Sequence, residues 1–403
     1  MSRSLVLVRY AAAATLARLA DEMVGVAVVL LVLGRTHDGV LAGAAVAGYT
    51  LPAVLTGPLL GAWLANAGRR APFALAANEL VLAGVAVGLT FTVGHAPGVV
   101  VVLLTLLAGL SLPLTSGGYS SLLPALVGRD GLTRSNTVDA MSVNGPSIAG
   151  PAVAGTVAAT LGVGASALGI GVIALLATVA TFALPEVPVQ QHERESLWRT
   201  TTAGLRHLAR TPPLRAATLT SAVGYGSVGL LVVALPARVV EFGASRASAG
   251  YLWTALECGG LVGMLLVGPR LRRLRPERAV FVAVASYGVL LVVLAGMPTL
   301  TATLVVIVVA GIAEGPNLPA VFAARQRYSP ERLLAQVSTT GASLKIGAFA
   351  LGSVVSGALT GPIGPSAVIL LAGLGQLAAV TVGWAIGRPA DAVTTSAVPG
   401  RTP

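Results

Sequence analysis

The sequence predicts an all-α polytopic membrane protein, with twelve transmembrane helices in two six-helix bundles and both termini cytoplasmic. Three observations predict it: the number and length of the apolar runs, the placement of the arginines, and an internal repeat at half the chain length. The chain is 55% hydrophobic and 10% charged, against roughly 25% charged in soluble domains. Twelve apolar runs of about 20 residues each match the hydrocarbon core of a bilayer, which is roughly 30 Å thick. They cover about 5–33, 40–66, 72–93, 97–122, 137–160, 164–184, 214–237, 247–269, 278–296, 300–323, 336–360 and 364–386. Runs this long satisfy their backbone in lipid only as helices.

The net charge of +11 resembles a nucleic-acid signal until the arginines are located. Most of the 26 Lys and Arg residues fall at the termini or in every second connection, from Arg69 and Arg70 through Arg129, Arg134 and the 194–215 segment to Arg270–Arg278 and Arg325–Arg332. The alternate connections hold only Arg35, Arg238 and Arg246. The positive-inside rule then places both termini in the cytoplasm. The basicity is topological and implies no nucleic-acid partner. Arginine in place of lysine, with abundant Ala and Gly, points to a GC-rich bacterial genome, and so to a bacterial cytoplasmic (inner) membrane.

The repeat has an offset of 202 residues in a chain of 403: Gly48 and Tyr49 recur as Gly250 and Tyr251, and Gly57, Gly61 and Leu64 as Gly259, Gly263 and Leu266. Gly109, Gly150 and Gly155 likewise map onto Gly311, Gly352 and Gly357. Parallel halves of this kind set a substrate site between two rocking bundles. The expected division is an N-terminal bundle at 1–184, a cytoplasmic linker at 185–213, a C-terminal bundle at 214–387 and a disordered tail at 388–403. Within the linker, residues 197–210 form an amphipathic helix. Leu197, Trp198, Leu205, Leu208 and Ala209 occupy one face, and Arg199, Arg206 and Arg210 the other. That pattern suits a helix lying on headgroups; the alternative is a solvated linker.

Cys258 is the single cysteine, and all four histidines lie in connecting segments. This leaves no disulfide, metal or cofactor site to expect. The first apolar run is interrupted by Arg18, Asp21 and Glu22, and is too long for a signal peptide.

Ionisable groups within spans are costly, and they default to functional hypotheses. Arg18 reaches Asp21 at i+3 or Glu22 at i+4, while the carboxylates diverge by about 100°. One is thus neutralised by Arg18 and the other is free to face a cavity; alternatively the group is a structural pair. Glu257, Glu314 and Lys345 lie deep in the eighth, tenth and eleventh runs. A desolvated carboxyl group favours its neutral form, and Lys345 is the natural counter-ion. A switching partner would couple proton binding to conformation; a permanent pair would only hold the half together. Gly315, Pro316, Asn317 and Pro319 directly after Glu314 suggest a discontinuous helix lining a cavity. Glu79 and Asp139 read as structural. The fifth run carries Gly145, Pro146, Gly150, Pro151 and Gly155, small residues that let another helix approach closely and bend.

These features resemble the major facilitator superfamily over about residues 5–387. The segment from Gly61 to Arg70 is similar to its signature: Gly61, Gly68, Arg69 and Arg70 match, while Ala65 and Asn66 replace the acidic and basic positions. The resemblance therefore implies a weakened cytoplasmic charge latch. The fifth-run glycines and prolines resemble a motif of the superfamily's exporters, and Arg18–Glu22 resembles the opening of exporters related to macrolide and siderophore efflux. Thr105 stands where such exporters carry an arginine, so no proton relay transfers to that site. The resemblance further implies that runs 1, 4, 7 and 10 line a central cavity.

The function these readings imply is a secondary transporter working by alternating access, exporting a small amphipathic compound in exchange for protons. It would act as a monomer whose partners are the small-molecule substrate, protons and membrane lipid. The rivals are a proton-coupled importer and a non-transporting receptor or assembly factor on the same fold. No catalytic cluster or nucleotide loop indicates an enzyme. With 4% aromatic residues, a cavity walled by rings is not expected, and a flat aromatic cation is a poor first guess for the cargo.

Overall fold

The computed structural model describes residues 3–65, 67–127, 132–185, 197–271 and 273–387. Among these the secondary structure is helical, without strands. The first half contains α1 (Arg3–Thr36), α2 (Gly39–Thr50), α3 (Ala53–Ala65), α4 (Ala71–Thr92), α5 (Gly98–Pro113), α6 (Tyr119–Val127), α7 (Leu132–Leu161) and α8 (Val163–Phe182). Then come α9 (Leu197–Arg210), α10 (Pro212–Gly229), α11 (Leu231–Glu241), α12 (Ala249–Leu266) and the single turn α13 (Gly268–Leu271). The chain finishes with α14 (Pro276–Ala295), α15 (Leu300–Glu314), α16 (Asn317–Tyr328), α17 (Glu331–Ile363) and α18 (Pro365–Ile386). Among the described residues, nine helical stretches are long and apolar enough to cross a membrane, and Gly98–Pro113 is a shorter apolar helix. The tail after residue 387, residues 128–131 and 186–196, and Asn66 lie outside the described residues.

Helix breaks follow the chemistry of the chain. Pro52, which has no N–H to donate, separates α2 from α3. Pro113 ends α5, and a π-helical turn at Leu114–Gly118 leads into α6. Gly315 and Pro316 separate α15 from α16. By the 202-residue offset Pro113 is the counterpart of Gly315, so the two breaks are the same feature in two halves. Apolar side chains also cover the outer surface: Phe91, Val179, Leu351 and Trp384 are exposed. A patch this extensive on a soluble protein would be an interaction surface; here it is the face that lipid solvates.

The repeat is expressed in the packing. Gly150 of α7 and Gly352 of α17 lie against the first helix of their own halves, at Glu22 and Gly226. Gly155 and Gly357 lie against the opposite halves, at Ala247 and Gly250 and at Gly39 and Val40. These contacts join α7 to α12 and α2 to α17. Ser353 Oγ donates to Gly43 O at 3.1 Å, and Thr254 Oγ1 donates to Ile148 O at 2.9 Å. Most of these seams lie toward the end of the molecule away from the termini.

Arginines at the two ends are used in the same way. At the terminal end, Arg9 donates to Ala183 O at 3.1 Å and Arg215 to Ile386 O at 2.6 Å. At the far end, Arg35 donates to the carbonyls of Thr90 and Val93, and Arg238 to Met297 O at 2.7 Å. These few arginines cap helix C-termini, where carbonyls lack partners and a cation is favoured.

The linker helix forms but does not lie free. Gly204 of α9 packs on Gln336 of α17, His207 Nε2 lies 2.8 Å from Tyr328 O, and Leu208 is buried with Leu214 and Val337. The Gly204–Leu208 face thus turns to protein, not to headgroups, because a glycine there lets the helix axis come close. Leu205, Arg206 and Arg210 remain exposed. The side chains of Leu197, Trp198 and Arg199 lie outside those described.

Candidate functional site

A cavity of about 690 Å³ lies where the two halves meet, within the range that holds small-molecule ligands. Asp21 and Glu22 reach it from α1, Glu257 from α12 and Glu314 from the end of α15. Among the described residues its lining holds four carboxyl groups and no Lys or Arg. The seams close it at the far end, whereas Leu64, Ser121 and Thr339 line it toward the terminal end.

Each carboxylate is held differently. Tyr49 of α2 donates its hydroxyl to Asp21. Glu22 is exposed to the cavity, and its backbone rests on Gly150: a Cβ at that glycine would stand 2.6 Å from the Glu22 Cβ. Glu257 is likewise exposed to the cavity, one turn beyond Thr254. Asn317 Nδ2 donates to Glu314 Oε1 at 3.4 Å, a long and weak contact. Asn317 itself is buried outside the lining, and its Oδ1 finds no partner among the described residues.

Two expectations from spacing are corrected. Arg18 does not pair with Asp21 or Glu22, and it is not a cavity residue. Its guanidinium reaches Asp139 Oδ1 at 2.9 Å, Ser120 Oγ at 2.8 Å and Ser142 Oγ. Tyr10 donates to the same Asp139 oxygen at 2.7 Å. A buried guanidinium with several donors fills them better on an adjacent helix than on a single carboxylate of its own. Nor does Lys345 touch Glu257 or Glu314. Its Nζ stands 4.3 Å above the centroid of the Tyr225 ring, in reach of the carboxylates' fields but not of their oxygens.

The remaining candidates divide. Pro151 lines the cavity, and Pro146 is buried in α7. Gly145 meets nothing within 4 Å, so it is not a packing glycine. Gly61 lies in α3; Gly68 takes a φ of +50°, the left-handed region that favours glycine, and opens a 3-10 turn through Arg70. Arg70 is exposed, and the side chain of Arg69 lies outside those described. Thr105 is buried, and a Cβ at Gly48 would stand 2.5 Å from its Oγ1, so an arginine at position 105 would have to displace α2.

Aromatic residues were the missed component. Tyr49, Tyr225, Trp253, Tyr287 and Phe349 all line the cavity, and the rings of Tyr225 and Phe349 lie 5.1 Å apart with 31° between their planes. The low aromatic content is a bulk average, and it does not exclude five rings at one site. The one sequence signal was the i, i+4 spacing of Lys345 and Phe349 on one helix face.

The Major Facilitator Superfamily model matches residues 10–340 and 217–401. The chain belongs to that superfamily. It is 28% identical over 366 residues to the uncharacterised MFS-type transporter y4rN of Sinorhizobium fredii, covering 90% of each chain. It is 27% identical over 339 residues to the multidrug efflux pump Tap of Mycolicibacterium fortuitum, covering 81% of this chain and 82% of that one. Among solved structures, a point mutant of the nucleoside transporter NupG superposes with a TM-score of 0.80 at 15% identity, over 94% of this chain and 99% of the other. A bacterial homologue of the iron transporter ferroportin in an inward-facing state gives 0.72 at 18%, over 96% and 100%. Membership and fold make this a multi-pass membrane transporter with a small-molecule substrate.

Proposed function

We propose that the protein is a proton-coupled exporter, exchanging a small amphipathic compound for protons by alternating access. Twelve spans in two bundles, cytoplasmic termini, a monomeric state and a bacterial inner membrane belong to this reading. Counting each interrupted pair of helices as one span supports the twelve. The observation that carries the reading is the cavity itself, sealed at one end and faced by carboxyl groups from both halves. Carboxyl groups screened from bulk water take up and release protons within a membrane, and a rocking motion about the α2–α17 and α7–α12 seams would expose them alternately. With the termini cytoplasmic, the sealed end faces outward. Similarity to an efflux pump, together with the Gly-Pro run of α7, supports export.

The test uses everted membrane vesicles energised to an acid interior and a pH dye, with wild type beside Glu314→Gln. Antibiotics, siderophores, sugars and amino acids are added singly. Collapse of the gradient by one class, in wild type and not in the variant, is the expected result. Proton movement only when solute is taken up in the same direction makes the protein an importer. A gradient untouched by every class, with solute still moving, removes proton coupling.

A further inference from the structure

The geometry points to a cationic amphiphile as the cargo: an amine or onium compound whose charge is held beside Glu22 and Glu257 while its apolar body lies among the rings. This deepens the transporter reading and rests on it. The lining supplies four carboxyl groups and no basic side chain among the described residues. An anionic ligand would meet repulsion from both halves, and a neutral one would gain nothing from the charge of these groups.

The charged groups flank a continuous seam. Glu22 sits on Gly150 of α7; the adjoining turn of α7 accepts the Thr254 hydroxyl at Ile148 O; and Glu257 follows Thr254 by one turn of α12. A cation at this seam is attracted to both halves at once. The resident cation shows what the aromatic wall accepts: Lys345 Nζ already lies over Tyr225, beside Phe349, the geometry of a cation–π contact. An independent observation points to an occupant. The Tyr287 hydroxyl is buried on the cavity wall, with the residue only 1% exposed, and it has no hydrogen-bond partner among the described residues. Buried hydroxyls are rarely left unpaired, and here a ligand N–H or oxygen would complete it. The rest of the lining is apolar: Val28, Leu30, Val232 and Leu256 face the space from both halves.

The probes are tetraphenylphosphonium and tetraphenylborate, which have nearly the same size and shape and opposite charge. Binding to the purified full-length protein in detergent is measured by calorimetry. The phosphonium should bind about tenfold or more tighter than the borate, and Glu22→Gln and Glu257→Gln should each weaken it about tenfold. Glu241→Gln, on an exposed residue paired with Arg238, should leave it unchanged. Gly25 lines the cavity, and a Cβ there would meet nothing within 4 Å, so Gly25→Leu should crowd the site and weaken binding of either probe. That variant stands in should a glutamine variant fail to fold. Equal or tighter borate binding, or phosphonium binding untouched by these changes, overturns the inference. Charge-selective binding without phosphonium-dependent proton movement in vesicles keeps the cation site and sinks the proton-exchange reading instead. Proton exchange driven only by neutral or anionic compounds does the reverse.

Discussion

Arg18 of α1 lies 2.9 Å from Asp139 of α7, a contact that fixes the rotation of α1 and so decides which way Asp21 and Glu22 point. The arginine is buried and the aspartate half-buried, with Tyr10, Ser120 and Ser142 completing the group. Removing one partner of a buried pair leaves a charge uncompensated and costs about 3 kcal/mol. Asp139→Leu should therefore lower the melting temperature in detergent markedly. Arg18→Met combined with Asp139→Leu should recover much of the loss. A silent Asp139→Leu would show that the hydroxyls alone suffice.

Gly150 and Gly145 make a matched comparison within one helix. Alanine at 150 would push on Glu22, and overpacking of this kind costs about 1–3 kcal/mol. Gly145→Ala meets open space and gains helix propensity. Exchange activity and melting temperature should both fall for the first variant and hold for the second. Equal behaviour would detach Gly150 from the positioning of Glu22.

Lys345 rests on a ring and touches no carboxylate, so its loss should be mild for stability. A cation–π contact contributes roughly 0.5–2 kcal/mol, below the cost of breaking a buried ion pair. Lys345→Met should shift the melting temperature little, while changing the pH at which exchange is half-maximal. A large drop in melting temperature would restore the permanent Glu–Lys pair.

The close approach of Gly48 to Thr105 excludes a large side chain there. Thr105→Arg should reduce yield and melting temperature. Thr105→Ser should behave as wild type. A well-folded arginine variant would mean that α2 and α5 can part at little cost.

Much of this was legible from sequence because the bilayer is a severe solvent. Apolar runs must be helices, and glycines at a constant offset mark places where two backbones touch, whatever the neighbouring side chains. Gly150, Gly155, Gly352 and Gly357 illustrate this, each pressed on another helix as their repetition suggested. Partners across space were not legible. The i, i+4 spacing puts Glu22 within reach of Arg18, and only tertiary packing decides for Asp139 instead. The docking of α9 was hidden for a related reason: an apolar stripe of Leu205 and Leu208 does not say whether lipid or protein covers it. Composition misled about the rings because it carries no address.

Tyr49 and Tyr251 hold the same place in the two repeats and have come to do different work. The first gives its hydroxyl to Asp21 inside the cavity; the second lies 3.0 Å from Thr156 and bridges α12 to α7 on the outer side of the seam. A duplicated gene begins with two interchangeable products, and these tyrosines record the loss of that interchangeability. Two copies of the first half, fused, would bring two hydroxyl–carboxylate pairs to the centre and no tyrosine bridge across the joint. Each tyrosine now makes a contact that the other does not.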